Sequence, residues 1–120
     1  MNAASAVLET TPRQALQSLQ QGMGLSDAEL IEALGTSQRT LRRWRSGTAY
    51  PQVLARQRLA RMLHLQERVL ETFDGPDAVR RWLHSESRLL GGMTPAEALR
   101  VGRLDRAEAS LKAIDSGVFL

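Results

Sequence analysis

One short stretch of the chain combines arginine, glutamine and hydroxyl side chains at helical spacing. Residues 36–47 read TSQRTLRRWRSG and hold four arginines beside one leucine and one tryptophan. If Leu41 and Trp44 turn towards a core, the polar side chains are left on the outer surface of the helix. Arginine and glutamine form paired hydrogen bonds with guanine and adenine edges, and arginine neutralises phosphates. The segment therefore predicts a DNA-contacting helix, with these candidate residues: Ser37, Gln38, Arg39, Thr40, Arg42, Arg43 and Arg45.

The positive charge of the chain is concentrated around this helix. The net charge at pH 7 is only +3, but residues 36–68 hold eight arginines and a single acid. Arginine outnumbers lysine fifteen to one across the chain, a bias that a GC-rich genome can produce by itself. A merely solvated basic helix is therefore the alternative interpretation. The near absence of acids from the same stretch favours a polyanionic partner.

No other group of residues predicts chemistry. The sequence has no cysteine, and His64 and His84 lack the spacing of metal ligands, so no metal site is expected. Asp74 and Asp77 flank a Gly-Pro break and are interpreted as helix-capping groups rather than an acid/base pair. No glycine-rich phosphate loop follows a strand. We therefore expect a protein that is not an enzyme and needs no cofactor.

The cellular compartment is predicted from the absence of a membrane-spanning segment and of a signal peptide. No apolar run approaches the roughly 20 residues that span a bilayer. The first fourteen residues, MNAASAVLETTPRQ, lack the basic and apolar blocks of a signal peptide. A cytoplasmic location without a membrane partner is therefore expected.

The elements that must position the arginine helix are themselves predicted to be helices. Aromatic residues make up only 4% of the chain, and strong helix formers dominate it. Pro12 opens a first helix, which Gly22 and Gly24 stop. Ser26, with a glutamate three residues later, caps a second helix that ends at Gly35. Ser37 then caps the arginine helix, which is the third helix of an all-α bundle.

A longer helix over about 53–73 follows, and the chain then breaks at Asp74-Gly75-Pro76. The apolar stripe predicted for this helix consists of Leu59, Met62, Leu63, Val69, Leu70 and Phe73. Beyond the break, helices are predicted over 76–85, from Pro95 to near Gly102, and over 104–116, with a loop at 90–93. The predicted organisation is a flexible arm over 1–11, one domain over 12–74 and a smaller domain over 75–120.

Residues 25–47, LSDAELIEALGTSQRTLRRWRSG, resemble the helix-turn-helix of Xre-like and MerR-like regulators. Two short helices are joined by a tight turn, and the second is amphipathic and basic. Gly35 lies at the turn, Ser37 provides the polar cap, and Leu41 and Trp44 are the expected buried residues. The resemblance implies that residues 12–74 form a DNA-binding and dimerisation domain.

Residues 82–119 closely resemble the C-terminal toxin-binding domain shared by Xre, MbcA and ParS antitoxins. The shared features include Trp82-Leu83, Leu90-Gly91-Gly92, Thr94-Pro95 and the closing Ile114, Gly117 and Phe119. Such antitoxins neutralise RES-domain toxins, which degrade NAD, and they commonly repress their own operon. The resemblance implies these toxin-binding residues: Trp82, Leu89, Leu90, Gly91, Gly92, Met93, Pro95, Ile114, Gly117, Val118, Phe119 and Leu120.

The expected protein is an all-α antitoxin, with an N-terminal helix-turn-helix bundle followed by a small helical toxin-binding domain. Its expected partners are a RES-domain toxin, whose active site it blocks, and operator double-stranded DNA. A homodimer within a larger toxin–antitoxin complex is expected, because two-fold dimers read palindromic half-sites. One alternative is a transcriptional regulator whose C-terminal half dimerises or binds a ligand. Another is a toxin-binding protein whose helix-turn-helix serves oligomerisation only, since Ile31 stands where such motifs usually have a small residue.

Overall fold

The computed structural model describes residues 11–117, and this part of the chain consists of helices without any strand. The predicted all-α fold is confirmed. Residues 1–10, which make up nearly all of the predicted arm, lie outside the described residues, as do Val118, Phe119 and Leu120. The elements in chain order are α1 (Pro12–Met23), α2 (Asp27–Leu34), α3 (Gln38–Ser46), α4 (Val53–Thr72), α5 (Gly75–Leu83), a 3₁₀ turn (Arg88–Leu90), α6 (Pro95–Arg100) and α7 (Leu104–Asp115).

Local signals set the ends of the first helices. The Oγ atom of Ser26 accepts a hydrogen bond from the backbone N–H of Glu29 at 3.1 Å, and the Glu29 carboxylate accepts one from the Ser26 N–H at 3.0 Å. This reciprocal pair is the predicted capping box. Gly24 and Gly35 end α1 and α2 with φ angles of 68° and 66°, a left-handed conformation that favours glycine.

The prediction that Gly22 helps to stop the first helix is wrong, because the residue lies inside α1. A Cβ atom at this position would lie 2.6 Å from Oε1 of Gln66 on α4. The glycine therefore allows α1 and α4 to approach closely, and Gly24 ends the helix instead.

One apolar core runs through the described chain. Its buried members include Leu41 and Trp44 from α3 together with Val79, Trp82 and Leu83 from α5. The core also joins α2 to α6, which pack against each other. The break at residues 74–76 thus separates two helices without separating two cores, and the division of the chain into domains at residue 75 stays a prediction.

The predicted apolar stripe of α4 is correct in most positions and wrong at Leu70, which is 49% exposed. Leu65 and Gln66 are buried instead. The reason is tertiary, because α4 packs against α1 on one side and α7 on another. Contact with two helices buries a wider arc of the α4 surface than one apolar stripe predicts, and that arc is centred on a different face. Among the described helices, none is both long enough and apolar enough to cross a bilayer.

We expect Leu41→Ala to lower the free energy of unfolding by about 2–5 kcal/mol, because it removes a fully buried side chain from the core. Leu54→Ala is the matched control. Leu54 is 74% exposed, so its truncation should change stability by less than about 0.5 kcal/mol. Urea unfolding followed by circular dichroism measures both. Equal midpoints for the two variants would show that the inward face of α3 is assigned incorrectly.

Candidate functional site

The start of α3 is fixed by the side chain that precedes it. The Oγ atom of Ser37 accepts a hydrogen bond from the Thr40 N–H at 3.1 Å and donates one to the Thr40 Oγ1 atom at 3.0 Å. Both hydroxyls, which sequence reasoning assigned to DNA, are therefore engaged in the helix cap. Gly47 ends α3 with a φ angle of 79°. The helix-turn-helix is thus bounded by a cap at one end and a left-handed glycine at the other.

Burial of Leu41 and Trp44 leaves a polar outer surface on α3. Gln38, Arg39, Arg42 and Arg43 are all exposed. None of these three arginines forms an ion pair with any residue in the described range 11–117. The outer face of α3 therefore carries three positive charges that the described protein does not compensate.

Arg45, the fourth arginine of α3, differs from the others. Its guanidinium donates to both carboxylate oxygens of Asp27, at 2.7 and 3.1 Å, and to Oε1 of Gln20 at 2.7 Å. The amide of Gln20 donates in turn to Asp27 at 2.7 Å. The hydrogen bond from Arg45 lowers the pKa of Asp27 and raises the pKa of Arg45 itself. Arg45 therefore connects α1, α2 and α3, and its charge is already compensated within the protein.

A basic groove lies beside the outer face of α3, where that helix meets α1. It has a volume of about 540 Å³ and is lined by Arg13, Gln17, Gln20, Arg42, Arg45 and Ser46. Sequence reasoning missed Arg13. The available signal was the spacing of Arg13, Gln17 and Gln20 at i, i+4 and i+7, which places them on one polar face of α1.

A second groove, of about 430 Å³, borders the opposite flank of α3. Its lining includes Thr40, Trp44, Tyr50, Leu54 and Arg58. The ring of Tyr50 is exposed, and the guanidinium carbon of Arg56 lies 5.4 Å from its centroid. The sequence predicted only a connecting loop here. It did not indicate that Tyr50 is exposed, because the exposure of an aromatic residue depends on the packing around it.

The predicted toxin-binding residues separate into a surface set and an interior set. Leu89 is 50% exposed, and Gly91, Gly92 and Gly117 are exposed. Met93 and Ile114 are half-buried. The interior set consists of Trp82, Leu90 and Pro95.

Gly91 and Gly92 form a tight turn that follows Leu89 in the chain. Gly91 and Gly92 have φ angles of 69° and 94°, and the Gly92 N–H donates to the carbonyl of Ser87 at 2.9 Å. The Ser87 N–H donates to the carbonyl of Met93 at 3.0 Å, which closes the loop. Two successive left-handed residues reverse the chain and leave Leu89 projecting at the surface.

Trp82 packs inside the protein against Phe73, with ring centroids 5.7 Å apart. Its indole Nε1 has no hydrogen-bond partner within the described residues. Val101, which sequence reasoning did not select, is 62% exposed in the turn between α6 and α7. Within residues 11–117, no group of histidine and acidic side chains is arranged to hold a metal ion.

The class of protein follows from comparison of the chain with known families. Residues 3–52 match the family model of the antitoxin Xre-like helix-turn-helix domain. Residues 68–117 match that of the antitoxin Xre/MbcA/ParS C-terminal toxin-binding domain. The second match begins within α4, upstream of the boundary predicted at residue 75. The chain combines both parts of an antitoxin of this type.

Individual relatives agree with the family models. The mycobacterial cidal antitoxin MbcA of Mycobacterium tuberculosis is 32% identical over 95% of this chain and 96% of its own length. A probable mycobacterial cidal antitoxin of the same organism is 27% identical over 81% of this chain and 82% of its own. In the crystal structure of the M. tuberculosis MbcT–MbcA toxin–antitoxin complex, one chain superposes with a TM-score of 0.69 at 28% identity, covering 92% of this chain and 99% of that one. The chain belongs to the Xre/MbcA/ParS family of antitoxins.

We expect NMR titration to give a pKa for Asp27 below its ordinary value of 3.8, because Arg45 stabilises the carboxylate. Because the pKa of Asp27 is lower in the folded state, the interaction stabilises the fold at pH values above 3.8. This stabilisation is lost as the pH falls from 3.8 through the folded-state pKa and the carboxylate becomes protonated. Arg45→Gln should return the Asp27 pKa towards 3.8. Arg43→Gln, which removes a neighbouring charge of α3 without touching Asp27, should leave it low. Equal values in the two variants would refute the assigned pairing.

Proposed function

We propose that this chain is an antitoxin that binds and inhibits a RES-domain, NAD-degrading toxin and binds operator DNA to autoregulate its operon. The observation that carries the proposal is the match of residues 68–117 to a toxin-binding domain. A chain of the same fold occurs in a solved toxin–antitoxin complex. In this proposal residues 12–74 contact DNA, residues 75–120 contact the toxin, and both act in the cytoplasm without catalysis.

The exposed turn around Leu89 supports inhibition by direct contact. An exposed leucine costs free energy in water and gains it when a partner covers it. The neighbouring Gly91 and Gly92 have no side chains, so a partner can approach the backbone closely. We propose that Leu89, the two glycines and Met93 enter the opening of the toxin active site. Trp82, Leu90 and Pro95 are buried, so in this proposal they act indirectly, by supporting the fold of the C-terminal half.

The charge distribution of α3 supports the DNA half of the proposal. Its exposed arginines lack partners among the described residues, so DNA binding need not break an ion pair to use them. Arginine and glutamine suit guanine and adenine edges in the major groove. A homodimer is proposed because one short reading helix touches few bases, and a two-fold dimer doubles the number it touches on a palindromic operator.

We expect Leu89→Asp to weaken binding to the RES-domain protein of the same operon by at least about 2 kcal/mol, or roughly 30-fold, since it buries a charge at the contact. Co-purification and rescue of toxin-expressing cells measure this weakening. Leu54→Asp is the matched control, an exposed leucine outside the segment that matches the toxin-binding model.

The control should bind the toxin as the parent does, and both variants should keep the parent melting temperature. If Leu89→Asp still neutralises the toxin, the inhibitory surface lies elsewhere. If the parent co-purifies with no RES-domain protein, the C-terminal half has the other expected role, dimerisation or ligand binding.

For the DNA half, Arg39→Ala with Arg43→Ala should weaken operator binding by about 1–3 kcal/mol for each arginine that forms a bidentate pair with a base. Arg81→Ala with Arg88→Ala removes the same charge from exposed positions in the C-terminal half and serves as the control. Fluorescence anisotropy with a duplex from upstream of the operon measures both. Equal affinities would favour a helix-turn-helix that only oligomerises.

A further inference from the structure

The basic groove between α1 and α3 has the composition of an anion site. Arg13 from α1 and Arg42 from α3 line the same space of about 540 Å³, together with Gln17 and Ser46. Each guanidinium carries five N–H donors and no acceptor. Two side chains of like charge that line one groove repel each other, and an anion between them removes that repulsion.

The charges at this groove do not cancel. Arg45 lies in the lining, but its guanidinium is held by Asp27 and Gln20. Neither Arg13 nor Arg42 forms an ion pair with a residue in the described part of the chain. The groove is therefore lined by two uncompensated positive charges and one compensated charge.

The position of the groove indicates which anion fits. Arg42 belongs to the same helix as Arg39 and Arg43, whose side chains are exposed on its outer face. A group held by Arg42 must therefore lie close to whatever the outer face of α3 contacts. When a helix reads the major groove, the phosphates of the adjacent strand border it.

We infer that this groove holds one phosphodiester group of the DNA backbone, with Arg13 and Arg42 as its charged hydrogen-bond donors. The inference rests on the proposed DNA binding and adds the α1 residue Arg13 to the contact surface. It also separates two roles among the arginines of α3. Arg39 and Arg43 face base edges, Arg42 contacts the backbone, and Arg45 positions the helix without contacting DNA.

Salt dependence tests this assignment, because each phosphate contact contributes about 0.9 to the slope of log K against log salt concentration. Because both arginines contact the same phosphate, the double variant Arg13→Gln/Arg42→Gln should reduce the slope by about one unit, and each single variant by a smaller amount. Arg81→Gln, the matched charge removal on α5, should change neither slope nor affinity. Arg13, Arg42 and Arg81 are all exposed, and a melting curve checks the fold of each variant.

A chemical readout identifies the phosphate directly. Ethylation of one backbone phosphate in each half-site should weaken binding of the parent protein and have little further effect on the Arg13→Gln/Arg42→Gln variant. If the parent binds operator DNA but the double variant keeps the full slope, the phosphate site is refuted and the proposed DNA binding stands. If the parent binds no operator DNA, the proposed function itself fails.

A free anion is the other source of the same chemistry. Titration of the parent protein with inorganic phosphate at constant ionic strength should show no saturable shift of the Arg13 and Arg42 guanidinium resonances up to about 10 mM. Saturable binding with a Kd below about 1 mM would identify a small-anion site and overturn the assignment to DNA.

Discussion

The rotation of α3 about its own axis is the constraint on which the candidate DNA surface depends. Leu41 and Trp44 are both buried, and a nine-residue helix with two large side chains in the core cannot turn without exposing one of them. This orientation of α3 leaves Arg39, Arg42 and Arg43 exposed on the surface of the protein. The basic surface is thus a consequence of apolar packing on the opposite side of the same helix.

A polar contact also helps to fix the orientation of α3. The Arg45–Asp27–Gln20 cluster joins three helices through a bidentate guanidinium–carboxylate pair, a geometry that specifies orientation as well as distance. The cluster is partly exposed, so its contribution to overall stability is modest. The cluster joins α3 to α1, and Arg42 and Arg13 line the groove between these two helices.

The two halves of the chain pack against each other. Helix α2 belongs to the helix-turn-helix, yet it packs against α6, and its Glu32 pairs with Arg100 at 2.6 Å. The hydrogen bond from Arg100 lowers the pKa of Glu32. Close-packed helices cannot shift independently. The candidate DNA surface and the exposed turn around Leu89 are therefore carried by one continuous core.

The sequence by itself determined the helices and the caps at Ser26 and Ser37, since capping residues and apolar periodicity act over a few residues. The predicted capping role of Asp74 is not confirmed, because its side chain makes no capping hydrogen bond. The order of motifs along the chain was enough to identify the family. It also identified Leu41 and Trp44 as buried, because both lie on one face of a single helix. Only the tertiary structure decided that Gly22 serves close packing, that Leu70 is exposed, and that Arg13 and Arg42 line one groove. It also decided that Arg45 pairs with Asp27, 18 residues away. These features depend on which helix covers which face, and the spacing of residues along the chain does not contain that information.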